Sequence, residues 1–217
     1  MRLEEVHLIT GNLNNCRFFY ADLLGLAIED ISAGSIAFKV GSSLLRFSLV
    51  EQTRPLYHLA FSVPNNMLNE ALEWLRQRTS ILPYSADSVI ADFTGWNAKA
   101  FYFRDADENI LECITHFDEQ DHRDGSFSGE YFLSIMEIGL AVEDVTVACA
   151  DLNARHGLPY FVKGPRLKDF CVMGDAEGML IVTKKGRGWL PTQQAAAIYP
   201  VTVSIGHLGE KHLLHFG

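Results

Sequence analysis

The feature that most constrains this 217-residue chain is a recurring order of elements, strand, helix, then three short strands. In the first pass, VHLITGN alternates like a strand. NLNNCRFFYADLLGL then has helical spacing, with asparagines to cap it and Gly25 to end it. LAIEDI, SIAFKVG and LLRFSLV follow as short strands between Gly/Ser turns. The order returns with LYHLAFSVP, the amphipathic NNMLNEALEWLRQR, and IADFTGW, KAFYFRDA and NILECITH; residues 79–90 between them are poorly patterned. It begins a third time with IMEIGLAVE, DVTVACADLNARHGL ending at Gly157, and PYFVKG, DFCVMGD and MLIVTKKG. Leu24-Gly25-Leu26 and His156-Gly157-Leu158 echo each other after the first and third helices. The tail supplies at least one strand, at VTVSI, and is too short for a fourth module.

This pattern predicts an α+β fold of repeated βαβββ modules. Two modules are expected to pair into a curved mixed β-sheet cup with flanking helices, over residues 1–117. The polar stretch DEQDHRDGSFSGE, residues 118–130, reads as a linker. Residues 131–217 read as a third, degenerate module with a C-terminal strand, which either covers the open sheet or pairs with a partner subunit as a homodimer.

Composition narrows the partners. A hydrophobic content of 48% supports a packed core, and a formal charge of -9 repels nucleic acid phosphates and anionic membrane surfaces. The expected partner is a small molecule. MRLEEVHLIT lacks the basic start of a secretory signal, and no window is apolar enough for a spanning helix. The four cysteines are far apart, with no Cys-x-x-Cys, so reduced thiols and a cytoplasmic location are expected.

Chemistry concentrates in the apolar strands. His7 and His58 fall early in the first strands of repeats one and two, and Glu112 lies in the last strand of repeat two between Leu111 and Cys113. A single strand histidine is ordinarily a hydrogen-bonded core residue. Two at equivalent points of paired repeats, with a carboxylate on a neighbouring strand, can converge on one concave face. Two imidazoles and one carboxylate on one side of a divalent metal leave positions open for substrate, water or dioxygen.

The span from Val6 to His116 resembles a paired βαβββ unit of the vicinal oxygen chelate superfamily. That superfamily includes glyoxalase I, bleomycin and fosfomycin resistance proteins and extradiol ring-cleaving dioxygenases. The resemblance rests on the VHL and YHLAFSV starts and on FYFRDADENILEC, which is similar to the family's aromatic-x-Asp-Pro-Asp-Gly-Asn-x-x-Glu ending. Ala106 and Glu108 replace its Pro and Gly. The resemblance implies His7, His58 and Glu112 as metal ligands. The fourth family position falls near Arg46, which supplies no ligand, so glyoxalase I is the poorer match. Tyr102 matches a tyrosine whose hydroxyl contacts the metal-bound substrate in similar enzymes; its other reading is an ordinary half-buried strand residue.

The implied activity is that of a dioxygenase-like oxidoreductase with ferrous iron, since two His and one carboxylate form the non-haem iron triad. Alternatives are a fosfomycin-resistance- or glyoxalase-like transferase or lyase using Mn2+, Zn2+ or Ni2+, and a metal-free binding protein of the bleomycin-resistance type. Two departures weigh on the named chemistries. DFTGWNAKA lacks the acid-base histidine of extradiol enzymes, and Ile9 stands where fosfomycin enzymes carry threonine.

Aligning IMEIGL with EVHLIT sets Glu137 at the His7 position and Ile181 at that of Glu112, so a second complete metal site is not expected and Glu137 reads as a hydrogen-bonded or edge residue. His116 is placed to border the pocket, His122 to be solvated, and His207, His212 and His215 to lie in a flexible tail.

Overall fold

Two sheets carry the chain in a computed structural model that describes residues Met1–Gly217. The strands are β1 Arg2–Thr10, β2 Ile28–Ile31, β3 Ser35–Val40, β4 Ser43–Leu49, β5 His58–Ser62, β6 Ile81–Leu82, β7 Ile90–Phe93, β8 Ala98–Arg104, β9 Ile110–His116, β10 Ser134–Val142, β11 Phe170–Asp175, β12 Gly178–Lys184, β13 Gly188–Trp189, β14 Gln194–Ala195, β15 Val201–His207 and β16 Glu210–Phe216. The helices are α1 Leu13–Cys16, continued by a π-helical stretch to Leu23, α2 Leu68–Arg76 and α3 Val145–His156. Asn12 caps α1 and Asp144 caps α3, each accepting backbone N–H groups of the first turn, and Gly157 ends α3 at φ 65°.

The α+β arrangement is the expected one, but the modules join differently. The first sheet runs β16-β15-β1-β4-β3-β2, and the second runs β11-β12-β10-β5-β9-β8-β6, with β7 also on β8. Repeat two therefore shares its sheet with repeat three. β5 lies antiparallel to β10, with Phe61 opposite Ile135 and Leu59 opposite Ile138. Repeat one takes the tail instead, with Val6 opposite Val203 and Leu8 opposite Val201.

Burial explains this choice. Every residue of β5 is buried, as is β10 from Ile135 to Leu140, so both strands need neighbours on each side and cover on each face. β1 alternates, with Val6, Leu8 and Thr10 buried and Glu5, His7 and Ile9 half-buried, which suits a sheet covered on one face only.

The buried faces of both sheets share one core, in which Val6, Phe38 and Phe47 join Leu59, Phe61 and Phe103. Ser43 links the first strands: its hydroxyl donates to the Leu3 carbonyl at 2.6 Å and accepts from the Ile135 N–H at 3.0 Å.

The polar segment 118–130 is anchored along α2. The Asn65 side chain donates to the Glu119 carbonyl at 2.7 Å, Asn66 does the same to Arg123, and Phe127 packs edge-on against Trp74. The tail histidines sit on or beside a β-hairpin: His215 Nδ1 lies 3.0 Å from Thr202 Oγ1, and His212 packs against His156. PYFVKG forms only a bridge, Tyr160 to Met173, so repeat three contributes two strands after its helix, not three. No helix is long and apolar enough to cross a membrane.

Candidate metal centre

The central strands of the second sheet bring three buried ionisable side chains together. In the parallel β5/β9 ladder His58 lies beside Ile110 and Ala60 beside Glu112, so His58 and Glu112 share a face two residues apart. On the other side of β5, Glu137 of β10 lies opposite Ala60. The β10 register slips between Ile135 and Glu137, and this bulge at Met136 sets the aim of the glutamate. His58 Nε2 is 3.5 Å from Glu112 Oε2 and 3.6 Å from Glu137 Oε2, and none of the three residues is more than 5% exposed. One ligand atom from each lies within 4.8 Å of the others.

Several details prepare this group for a cation. His58 Nδ1 is 3.2 Å from the Ile110 carbonyl; a carbonyl only accepts, so Nδ1 carries the proton and Nε2 turns its lone pair toward the carboxylates. Glu137 Oε1 is buried with no hydrogen-bond partner. Burial, and then the neighbouring Glu137 charge, pushes the Glu112 carboxyl well above the usual range. The only basic nitrogen within salt-bridge reach of either carboxylate is that of His58. Two such carboxylates in a dry site are costly unless a cation neutralises them. Metal bonds of about 2.0–2.2 Å put neighbouring ligand atoms roughly 3–3.6 Å apart, which matches the spacing around Nε2. The donor set fits a divalent ion.

Tyr102, on β8, is the register partner of Glu112 and forms a wall of the site. Burial and the charges of Glu112 and Glu137 hold its phenol protonated. The three acid and imidazole groups and Tyr102 line a cavity of about 240 Å³ otherwise dominated by Phe93, Trp96, Phe170 and Trp189. Trp189 packs on the His58 ring with centroids 5.2 Å apart. Gly139 makes room for this contact, since a Cβ there would lie 2.6 Å from the Trp189 ring and 3.1 Å from His58 Cβ. A larger groove of about 900 Å³, running from Gly11 to Glu108 past Thr53, has no comparable group of buried ligand atoms.

His7 is not brought to this centre. It lies in the first sheet, where its Nε2 is 2.8 Å from Ser48 Oγ. Ladder register corrects the expected alignment by two residues. Glu5 pairs with Leu44, His58 with Ile110 and Glu137 with Met179, so Glu5, His58 and Glu137 are counterparts, and His7 corresponds to Ala60 and Gly139. His58 and Glu112 do meet, and Glu137 stands where a third ligand was expected. The sequence signal for Glu137 is the same as for Glu112, a lone carboxylate in a continuous apolar strand. His116 lies on the same strand face, buried, with neither ring nitrogen hydrogen-bonded.

No family model matches the sequence, and no curated protein does. Solved structures do resemble the fold. A Bacillus subtilis protein whose name proposes a dioxygenase superposes over 84% of this chain with a TM-score of 0.62 at 15% identity. This chain covers 63% of that protein's length. A glyoxalase/bleomycin resistance protein/dioxygenase from Nocardioides (20% identity, TM-score 0.41) covers 58% of this chain and 90% of its own. A lactoylglutathione lyase from Agrobacterium tumefaciens (16% identity, TM-score 0.42) covers 52% of this chain and 92% of its own. At 15% identity the likeness to the Bacillus subtilis protein is one of fold, shared over most of this chain.

Proposed function

We propose that the chain is a divalent-metal-dependent enzyme whose small substrate binds through two adjacent oxygens, with His58, Glu112 and Glu137 as the ligands. The observation that carries this reading is the buried, cation-free pair of carboxylates around His58 Nε2. One imidazole and two carboxylates make a harder donor set than two imidazoles, which favours Mn2+ or Fe2+ over Zn2+ or Ni2+. When bound, the ion supplies Lewis acidity to the two substrate oxygens and an open position beside them. Tyr102, held protonated, donates a hydrogen bond to a substrate oxygen. The aromatic walls exclude water and stack on a flat substrate.

The leading reaction is that of a dioxygenase-like oxidoreductase on a catechol-type ring, with dioxygen as co-substrate; the aromatic cavity favours it. The second reading is metal-assisted proton transfer of the glyoxalase kind, favoured by the protonated Tyr102 and by the lack of a histidine in the DFTGWNAKA stretch. The test is metal analysis of protein purified without chelator, followed by oxygen consumption with a catechol panel after loading with Fe2+ or Mn2+. One ion per chain, absent in His58→Ala, with oxygen uptake supports the leading reading. A bound ion without oxygen uptake leaves the second, and no bound ion removes both.

A further inference from the structure

We infer that Arg187 selects for an acidic substituent, making the substrate a flat aromatic acid that carries two adjacent oxygens at its other end. The inference rests on the metal centre proposed above.

Charge at the centre is the starting point. A divalent ion held by Glu112 and Glu137 has its two charges cancelled, so the centre exerts no net pull on an anion. Among the residues lining the cavity the only lysine or arginine is Arg187. Its backbone is fixed, with its N–H donating to the Lys184 carbonyl at 3.0 Å and its carbonyl accepting from the Ala196 N–H at 2.8 Å. It lies two residues before Trp189, the ring that packs on His58, so one short segment supplies both the aromatic wall and the charge.

The guanidinium is oriented but weakly engaged. It lies over the Phe170 ring, 4.5 Å from the centroid. Its one carboxylate partner is Asp169, 3.4 Å from Nε, and the Asp169 side chain is 52% exposed. A solvent-screened pair of this kind is cheap to exchange, whereas a substrate carboxylate in a largely apolar cavity gains a two-pronged bond from the planar guanidinium. A pair serving only to close the surface would not need to lie on the cavity wall.

The test titrates Mn2+-loaded full-length protein with 3,4-dihydroxybenzoate and with 3,4-dihydroxybenzamide, which keeps the ring and both oxygens but is neutral. The wild type is expected to bind the acid roughly tenfold more tightly, and Arg187→Met to bring the two within about twofold while the amide affinity stays unchanged. Equal binding of acid and amide by the wild type, no binding of either, or a loss in Arg187→Met that falls equally on both overturns the inference. Metal content is measured on the same sample. Protein that takes up no metal fails the metal reading, and protein carrying one ion per chain without acid preference fails this inference alone.

Discussion

Arg46 in the first sheet holds the register position that Glu112 holds in the second: each lies two residues past the partner of the counterpart pair Glu5 and His58. Arg46 Nε donates to Glu5 Oε1 at 2.7 Å, and a terminal nitrogen donates to Asp30 Oδ2 at 2.8 Å. The first sheet thus fills the equivalent place with a covalently attached cation, and it has no use for a metal there. Arg46→Ala is expected to cost about 1 kcal/mol, since the network is partly solvent-screened. Neither it nor His7→Ala should change metal content. Urea denaturation and elemental analysis of both variants check this.

Gly139→Ala should separate Trp189 from His58. The added methyl meets the indole at 2.6 Å inside a packed region, and overpacking of this kind costs about 1–3 kcal/mol. A shift in tryptophan emission, together with a lower denaturation midpoint, is the expected result.

Stability should depend on pH through Asp105. Its carboxylate accepts from the Tyr20 hydroxyl, the Asn109 side chain and the backbone N–H groups of Asp107 and Asn109, yet burial still raises it to about 6 from an ordinary 3.8. The folded state therefore holds this proton more tightly than the unfolded chain. Its contribution grows as pH falls from about 6 toward 4 and is lost as pH rises through 6. A shift of about two units corresponds to at most roughly 3 kcal/mol. Measured with chelator present, the stability of wild type minus that of Asp105→Asn should increase by about 1–3 kcal/mol from about pH 7 to about pH 4.5. A difference that stays flat contradicts the assignment.

Much of the fold was legible in the chain's periodicity, because each repeat has its own helix stop and turn signals, at Gly25 and Gly157 for example. The pairing of repeats was less legible: HLAFS carries His58 and Ser62 on one face and reads as a half-buried strand, yet the fold buries it on both faces beside IMEIGL. The FRDADEN turn shows why motif matching reaches only so far. Glu108 adopts φ 69°, the left-handed conformation glycine takes more easily, so the turn survives its substitution. His58 and Glu112 could be found from strand position. Glu137 was set against the wrong residue because His7, a strand histidine like His58, lies two positions past the true counterpart Glu5, and residue type alone does not reveal the ladder register. Arg187 and Trp189 come from a turn and the two-residue strand β13, too short to leave a periodic signal in the sequence.

Glu137→Gln tests the central claim most directly, with metal stoichiometry and apo-protein stability measured on the same preparation. The wild type is expected to hold one divalent ion per chain and the variant to lose it. Without metal the variant should unfold at higher denaturant than the wild type, because it replaces one of two crowded buried carboxyl groups, whose Oε1 has no hydrogen-bond partner, with a neutral amide. Wild-type protein that binds no ion, or a variant that binds it equally well with unchanged stability, contradicts the account.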